Sequence, residues 1–171
     1  MSKKIKIIVL TMISCLVFTI TGFANSSKKS SDSVLLPEGV NESTGVDGYA
    51  RGNYISSSYL NISNKGYGEI GIYASTLCHK PVKKIRMNVY LDRWDDKEQE
   101  WFQVDYYNFT YEYKEGDEDL TAVSESFSVL GLPTGCYYRL RGFHSVIPFE
   151  GGSESQGPVT DGVLITNGPA V

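Results

Sequence analysis

The sequence predicts an all-β protein folded as a two-sheet antiparallel β-sandwich of about seven strands. Apolar and polar residues alternate with a period of two in short runs, which is the pattern of half-buried strands. Clusters of Gly, Asn, Asp and Pro separate these runs, and no window carries the sustained spacing of an amphipathic helix. Several strands of this length need a second layer to bury their apolar side, which favours two packed sheets.

The first 24 residues have the composition of an export signal. Three lysines precede an apolar run, Ile7 to Phe23, which ends at Ala24 before a polar stretch. An uncleaved anchor would need a longer uninterrupted apolar run, and a lipidated Cys15 would be followed by polar residues, whereas Leu16 to Phe23 are largely apolar. We therefore expect cleavage after Ala24, which gives a secreted, extracellular protein with no membrane span after signal removal.

The charge balance of the mature chain restricts its partners. Cleavage after Ala24 removes three of the 16 basic residues and none of the 20 acidic ones, which leaves seven more acidic than basic side chains. Lys and Arg supply most of the affinity for phosphate backbones and for anionic lipid surfaces. The composition thus argues against a nucleic acid as the partner, and it disfavours an anionic membrane surface.

A flexible N-terminal segment is predicted over residues 25–47, because Ser, Asn, Gly and Asp dominate it. The sandwich domain is predicted over residues 48–171. In its third strand, four apolar residues from Ile85 to Leu91 alternate with polar ones, so one row faces a core. Charged connections follow at 92–99 and 114–119, and the second could also offer oxygen ligands to calcium. The predicted strands are Tyr54 to Ile62, Glu69 to Cys78, Lys83 to Arg93, Glu100 to Tyr113, Leu120 to Val129, Tyr137 to Ser145 and Val159 to Ile165.

The run from Leu132 to Arg141 refines the fold prediction. A Leu, a Gly three residues on and a Tyr three further, followed by alternating apolar and Arg residues, resembles the sixth strand of fibronectin type III and immunoglobulin-like sandwiches. The resemblance implies that Tyr138 is a structural tyrosine corner, with a buried ring and a hydroxyl bonded to nearby backbone.

A second resemblance covers most of the mature region. The segments Leu36 to Val40, Gly48 to Gly52, Cys78 to Lys80 and Tyr138 to His144 are similar to those of an uncharacterised family of small secreted proteins from Gram-positive bacteria. This resemblance implies export and a compact β-domain, and it implies no activity and no site residues.

Two cysteines, Cys78 and Cys136, remain after signal removal. An isolated pair in an exported chain is most simply one disulfide between the two sheets, with free thiols as the alternative. His79 and His144 lie near these cysteines in the sequence, so a tetrahedral zinc site is a further alternative. The spacing fits no zinc motif, and we expect neither a metal nor another cofactor.

Aromatic residues are concentrated in the third and fourth predicted strands, and they cannot all enter one core. Exposed Trp and Tyr on a sheet are typical of surfaces that bind sugars or proteins, although aromatic pairs between strands can serve stability alone. Two arginines of the sixth strand could stack on these rings. The predicted binding residues are Tyr90, Trp94, Trp101, Tyr107, Arg139 and Arg141.

The sequence thus predicts an exported binding or interaction module, which recognises a polysaccharide, the cell wall or a protein through an aromatic sheet surface. It contains no nucleophile elbow, zinc-protease motif or phosphate loop, so we do not expect an enzyme. The alternatives are a secreted hydrolytic enzyme that uses His79 or His144 with nearby carboxylates, and a secreted structural or antagonistic factor.

Overall fold

The architecture was obtained from a computed structural model, which describes residues 33–48 and 52–170. The predicted export signal, Met1 to Ala24, and the first part of the predicted flexible segment lie outside these residues. The described residues form nine strands and no helix, and therefore include no helix with the length and apolarity that a membrane crossing requires. The strands are β1 (Glu42–Asp47), β2 (Ile55–Gly66), β3 (Glu69–Cys78), β4 (Lys84–Asp95), β5 (Glu100–Glu112), β6 (Ala122–Val129), β7 (Cys136–Ile147), β8 (Glu154–Gln156) and β9 (Val163–Ile165).

The strands form two antiparallel sheets, which confirms the predicted all-β sandwich. The first sheet has the order β1-β2-β3-β6. The second has the order β5-β4-β7-β8, and β9 also pairs with β7. The chain therefore crosses between sheets after β3, returns after β5 and crosses again after β6. This places β4 and β7 side by side at the centre of the second sheet, with β5 at its edge.

Period-two alternation accounts for the core. In β4, Ile85, Met87, Val89 and Leu91 are each fully buried, as the alternation predicts. They face buried residues of β2 and β3, among them Leu60 and the other members of the central cluster, Ile62, Ile70, Ile72 and Ala74. Alternate residues of a strand point to opposite sides, so the intervening residues of each strand lie on the outer faces of the sandwich.

Strands β1 and β8 are missing from the sequence prediction. The first lies within the predicted flexible segment, where it pairs with β2 and keeps Ser43 and Gly45 buried. Its short polar residues carry no apolar alternation, so the sequence offers no strand signal there. The strand is held instead by hydrogen bonds such as the one that the Asp161 amide donates to Ser43 Oγ, at 2.9 Å.

The end of the chain differs from the predicted seventh strand, Val159 to Ile165. Only residues from Val163 onward form regular pairs with β7, whereas Val159 makes an isolated bridge to Arg141. The Gly142 amide donates to the Pro158 carbonyl, and β8 pairs further along β7. Irregular backbone around Pro158 and two glycines, Gly157 and Gly162, therefore separates two short edge strands.

Tyr138 has the geometry that a tyrosine corner implies. Its ring is 1% exposed, near the start of β7. Its hydroxyl donates a hydrogen bond to the Pro133 carbonyl at 3.1 Å. This contact fixes the turn that leads from the first sheet into the second.

The predicted disulfide between Cys78 and Cys136 is wrong, because both cysteines are free. Thr76, near the end of β3, hydrogen-bonds His144 near the end of β7, whereas Cys136 opens β7. A strand of 12 residues is roughly 35 Å long, far beyond the Cα separation of about 4–7 Å that a disulfide needs. The same distance separates Cys136 from Cys78. The four residues Cys78, His79, Cys136 and His144 therefore cannot bind one zinc ion together.

Candidate functional site

The outer side of the second sheet carries five of the six predicted binding residues. They come from β4, β5 and β7, whose pairing places Tyr106 opposite Tyr90 and Tyr90 opposite Arg141. We call these three residues the tyrosine row. The sixth predicted residue, Tyr107, lies on the other side of β5, because it is next to Tyr106 in an extended strand.

Tyr107 belongs to the packing between the sheets. Its ring lies edge-on against Phe127 of β6, with the centroids 4.7 Å apart, and its position in β5 is opposite the buried Val89. The hydroxyl donates a 2.8 Å hydrogen bond to Asp105, and partial burial raises the pKa of Tyr107. The prediction that Tyr107 joins the recognition surface is therefore wrong.

Arg139 is not available to a ligand either. The residue is 2% exposed, and its Nε lies 3.1 Å from Asp92 Oδ2. Its guanidinium carbon lies 4.6 Å from the centroid of the Trp101 ring. Burial lowers the pKa of Arg139, while the hydrogen bond to Asp92 opposes that shift. The predicted stacking of an arginine on a tryptophan is present, but it covers the buried ion pair of Arg139 with Asp92 and is not part of an accessible surface.

The two tryptophans are half-buried by the chain itself. Trp94 and Trp101 are paired across β4 and β5, with their ring centroids 5.3 Å apart and their planes at 62°. The benzo edge of Trp101 lies against Gly162, where an added Cβ would be 2.6 Å from Trp101 Cη2. The segment that contains Leu35 runs beside Gly162, because the Leu36 amide donates to the Gly162 carbonyl.

Arg141 is held rigidly but stays partly exposed. Its Nε and Nη2 donate to the two carboxylate oxygens of Asp92, at 2.5 and 3.0 Å. The hydrogen bond to Asp92 raises the pKa of Arg141. The guanidinium carbon also lies 5.2 Å from the ring centroid of Tyr90. One carboxylate, that of Asp92, pairs with both Arg139 and Arg141. These three residues together therefore keep one net positive charge.

The tyrosine row is the accessible remainder of the predicted surface. The rings of Tyr90 and Tyr106 are nearly parallel, with centroids 6.4 Å apart and planes at 24°. Tyr106 is 60% exposed, and Phe143, two residues after Arg141 on β7, is 47% exposed. The row therefore offers two stacked rings and a fixed guanidinium in one line across three strands.

Sequence reasoning missed Asp92 and Tyr106. Asp92 follows Lys84, Arg86, Asn88 and Tyr90 in the outward row of β4, so the alternation could have identified it. A carboxylate at that position, beside two arginines of a neighbouring strand, is the signal of an ion-pair network. The local sequence does not reveal the strand order that places Asp92 beside β7.

The two histidines lie in different environments. His144 is fully buried, with its Nδ1 2.8 Å from Thr76 Oγ1, and burial lowers the pKa of His144 to about 4. His79 is exposed in the segment after β3. Within residues 33–48 and 52–170, no group of three or more His, Cys, Asp or Glu side chains is arranged to hold a metal ion.

The comparisons with known proteins give a family but no activity. A family of unknown function, DUF6147, matches residues 33–161. This range begins before β1 and ends just before β9, so it includes every strand except β9. No curated protein matches the chain.

Proposed function

The chain belongs to the DUF6147 family of unknown function, and we propose that it acts as an exported binding module of a Gram-positive bacterium. In this proposal the partner is a cell-wall polymer or another polysaccharide that carries acidic groups, and it is recognised by the local positive charge at Arg141 although the chain as a whole is acidic. The tyrosine row is the recognition surface. The export signal predicted over Met1 to Ala24 supports the extracellular location.

The observation that carries the proposal is the fixed line of Tyr106, Tyr90 and Arg141 on an exposed sheet face. Tyrosine rings bury much area at a small entropic cost, and they stack on the apolar side of a sugar ring. A guanidinium pairs with a carboxylate or phosphate group through directed hydrogen bonds. Because Asp92 already holds Arg141, little side-chain entropy is lost when a ligand binds.

The strand order also supports an immunoglobulin-like relationship within this proposal. If β2, β3 and β6 correspond to strands A, B and E, then β4 and β7 correspond to C and F of the second sheet. Strand β5 then occupies the position next to C. Sandwiches of this type present both binding loops and sheet faces to partners, which is compatible with an interaction module.

Sedimentation of the purified protein with isolated cell walls tests the proposal. We expect saturable depletion from the supernatant, and about a tenfold loss of affinity in Tyr106→Ala. Affinity should fall with added salt, because the guanidinium is partly exposed to solvent. The matched control is Tyr67→Asn, which removes a tyrosine of 70% exposure outside the row and suits the positive φ of 54° at that position.

Two results would contradict the proposal. One is equal binding by Tyr106→Ala and the native protein, which would remove the tyrosine row from recognition. The other is loss of binding after the walls are treated with protease, which would identify a protein partner. That second result would favour a secreted interaction or antagonistic factor over a polymer-binding module.

A further inference from the structure

A second surface, on the outer side of the first sheet, contains none of the predicted binding residues. It is formed by side chains that alternate with the core residues of β1, β2, β3 and β6. Most of these side chains are hydroxylic or amidic, with two tyrosines among them, and the exposed apolar residues Val46 and Leu77 lie beside them. We call this surface the neutral face; its members are Thr44, Ser57, Tyr59, Asn61, Tyr73, Ser75, Ser124 and Ser126.

The strand register aligns the neutral face in two adjacent rows. One row runs Thr44, Asn61, Tyr73 and Ser126 across the four strands. The next row places Tyr59 opposite Ser75, and Ser75 opposite Ser124. Residues two apart on a strand share a side of the sheet, so the two rows form one continuous surface.

Two shallow hollows lie on this surface and share Tyr73 and Ser75. The first, of about 480 Å³, is lined by Tyr59, Asn61, Tyr73 and Ser75. The second, of about 370 Å³, extends from Tyr73 and Leu77 toward Ser124 on β6. Both hollows are shallow and open to solvent along the sheet face. Because they share two residues, they form one track across three strands.

Some polar groups of the neutral face hydrogen-bond one another, whereas others are available to a ligand. Thr44 Oγ1 lies 3.2 Å from the Tyr59 hydroxyl and accepts a bond from Asn61 Nδ2 at 3.1 Å. The hydroxyls of Tyr73, Ser75 and Ser124 make no hydrogen bond to any other residue in the described part of the chain. The rings of Tyr59 and Tyr73 are 5.6 Å apart at 72°, so each supports the orientation of the other.

The charge pattern identifies the kind of partner. The residues that line the two hollows are all uncharged. The charged residues on the outer side of this sheet, Glu42, Lys65 and Glu69, lie toward its hairpin end, and the Lys65 side chain extends over Gly71. A polymer bound in the hollows would therefore contact no charged lining residue. Hydroxyls and an amide next to aromatic rings are complementary to the hydroxyls and the apolar side of an uncharged sugar.

We propose that the neutral face binds an uncharged polysaccharide, along the track formed by Tyr59, Tyr73, Ser75 and Ser124. This site is separate from the tyrosine row, which lies on the other sheet and presents a positive charge. The protein would then carry two recognition surfaces of different chemistry on opposite sides of one sandwich.

Sedimentation with cellulose and chitin, and affinity electrophoresis in a soluble neutral β-glucan, test this site. We expect the native protein to bind at least one of these polymers, with an affinity that does not change with salt. Tyr73→Ala should lower that affinity at least tenfold. Ser124→Lys, which fills the second hollow with a charged chain, should do the same. Tyr67→Asn is the control that should bind as the native protein does.

Circular dichroism and the melting midpoint of each variant show whether its fold is intact, and Ser124→Lys tests the site if Tyr73→Ala does not fold. Absence of binding to all three neutral polymers would overturn the proposal. So would a loss of neutral-polymer binding that follows Tyr106→Ala and spares Tyr73→Ala. Because wall binding through the tyrosine row is salt-sensitive and depends on Tyr106, failure of one proposal is distinguishable from failure of the other.

Discussion

Asp92 and Arg139 form an ion pair that is almost fully withdrawn from solvent, although both residues lie on the outer side of a sheet. Their side chains are 2% and 3% exposed, and Arg139 Nε lies 3.1 Å from Asp92 Oδ2. Trp101 covers the pair from the solvent side through its contact with Arg139. Buried charges cost free energy unless they are paired, so the arrangement depends on all three residues.

Replacement of Asp92 should destabilise the protein strongly. Asp92→Ala leaves the buried guanidinium of Arg139 without its carboxylate, and breaking such a pair typically costs about 3–5 kcal/mol. Urea unfolding measures the change in the free energy of unfolding. The matched control is Glu112→Gln, which loses an exposed ion pair with Lys84 and should have little effect. Equal stability of the two variants would contradict the structural role of Asp92.

Trp101 should contribute to stability more than to binding. Trp101→Ala removes the cation–π contact with Arg139 and the packing against Gly162. We expect a loss of about 2 kcal/mol, less than the roughly 3–5 kcal/mol of a fully buried tryptophan. Urea unfolding checks this, with Tyr106→Ala as the exposed aromatic control. If Trp101→Ala kept the native stability but lost wall binding, Trp101 would instead belong to the recognition surface.

The alternation in the sequence was sufficient to predict the fold class and most strands. The core strands carry mostly apolar residues at every second position, and this pattern follows directly from extended backbone geometry. Strand β1 could not be predicted in this way. Its buried positions are Ser43 and Gly45, and they contact the irregular segment that contains Val159 rather than the apolar core.

The candidate site was predictable only in part, for a related reason. Alternation shows that Tyr90 and Arg139 face away from the core, but an outward residue is not always an exposed one. Asp92 and Trp101 cover Arg139 because three strands meet in one particular order and register. The neutral face was missed because most of its residues are Ser, Thr and Asn, which give no aromatic or charged signal, and because its rows exist only after the strands are paired.

The cysteines should remain thiols under oxidising conditions. Cys78 and Cys136 lie at opposite ends of the sandwich, so reducing agent should leave the melting midpoint unchanged. Burial and the nearby Glu154 raise the pKa of Cys78 to about 11, and slow alkylation by iodoacetamide is expected at that residue in the folded protein. Mass spectrometry of digested protein checks both statements. A peptide that links Cys78 to Cys136 would contradict them.

His144 should make stability depend on pH. Burial lowers the pKa of His144 from 6.5 to about 4 in the folded protein. The unfolded chain regains the ordinary value, so it binds the proton more strongly between those two pH values. The contribution of the neutral His144 to the free energy of unfolding is therefore fully present above pH 6.5, and it is lost as the pH falls toward 4. Linkage gives a loss of about 2 kcal/mol between pH 7.5 and pH 5.

The surroundings of the His144 imidazole explain why that charge is unfavourable. The ring lies beside the uncharged Thr76 and opposite Gln156 of β8, and no carboxylate among residues 33–48 and 52–170 forms an ion pair with it. Urea unfolding at several pH values measures the slope, which His144→Gln should remove and His79→Gln should keep. NMR of the imidazole carbons gives a second readout, in which His144 should titrate near pH 4. Retention of the slope in His144→Gln would assign the pH dependence to other groups.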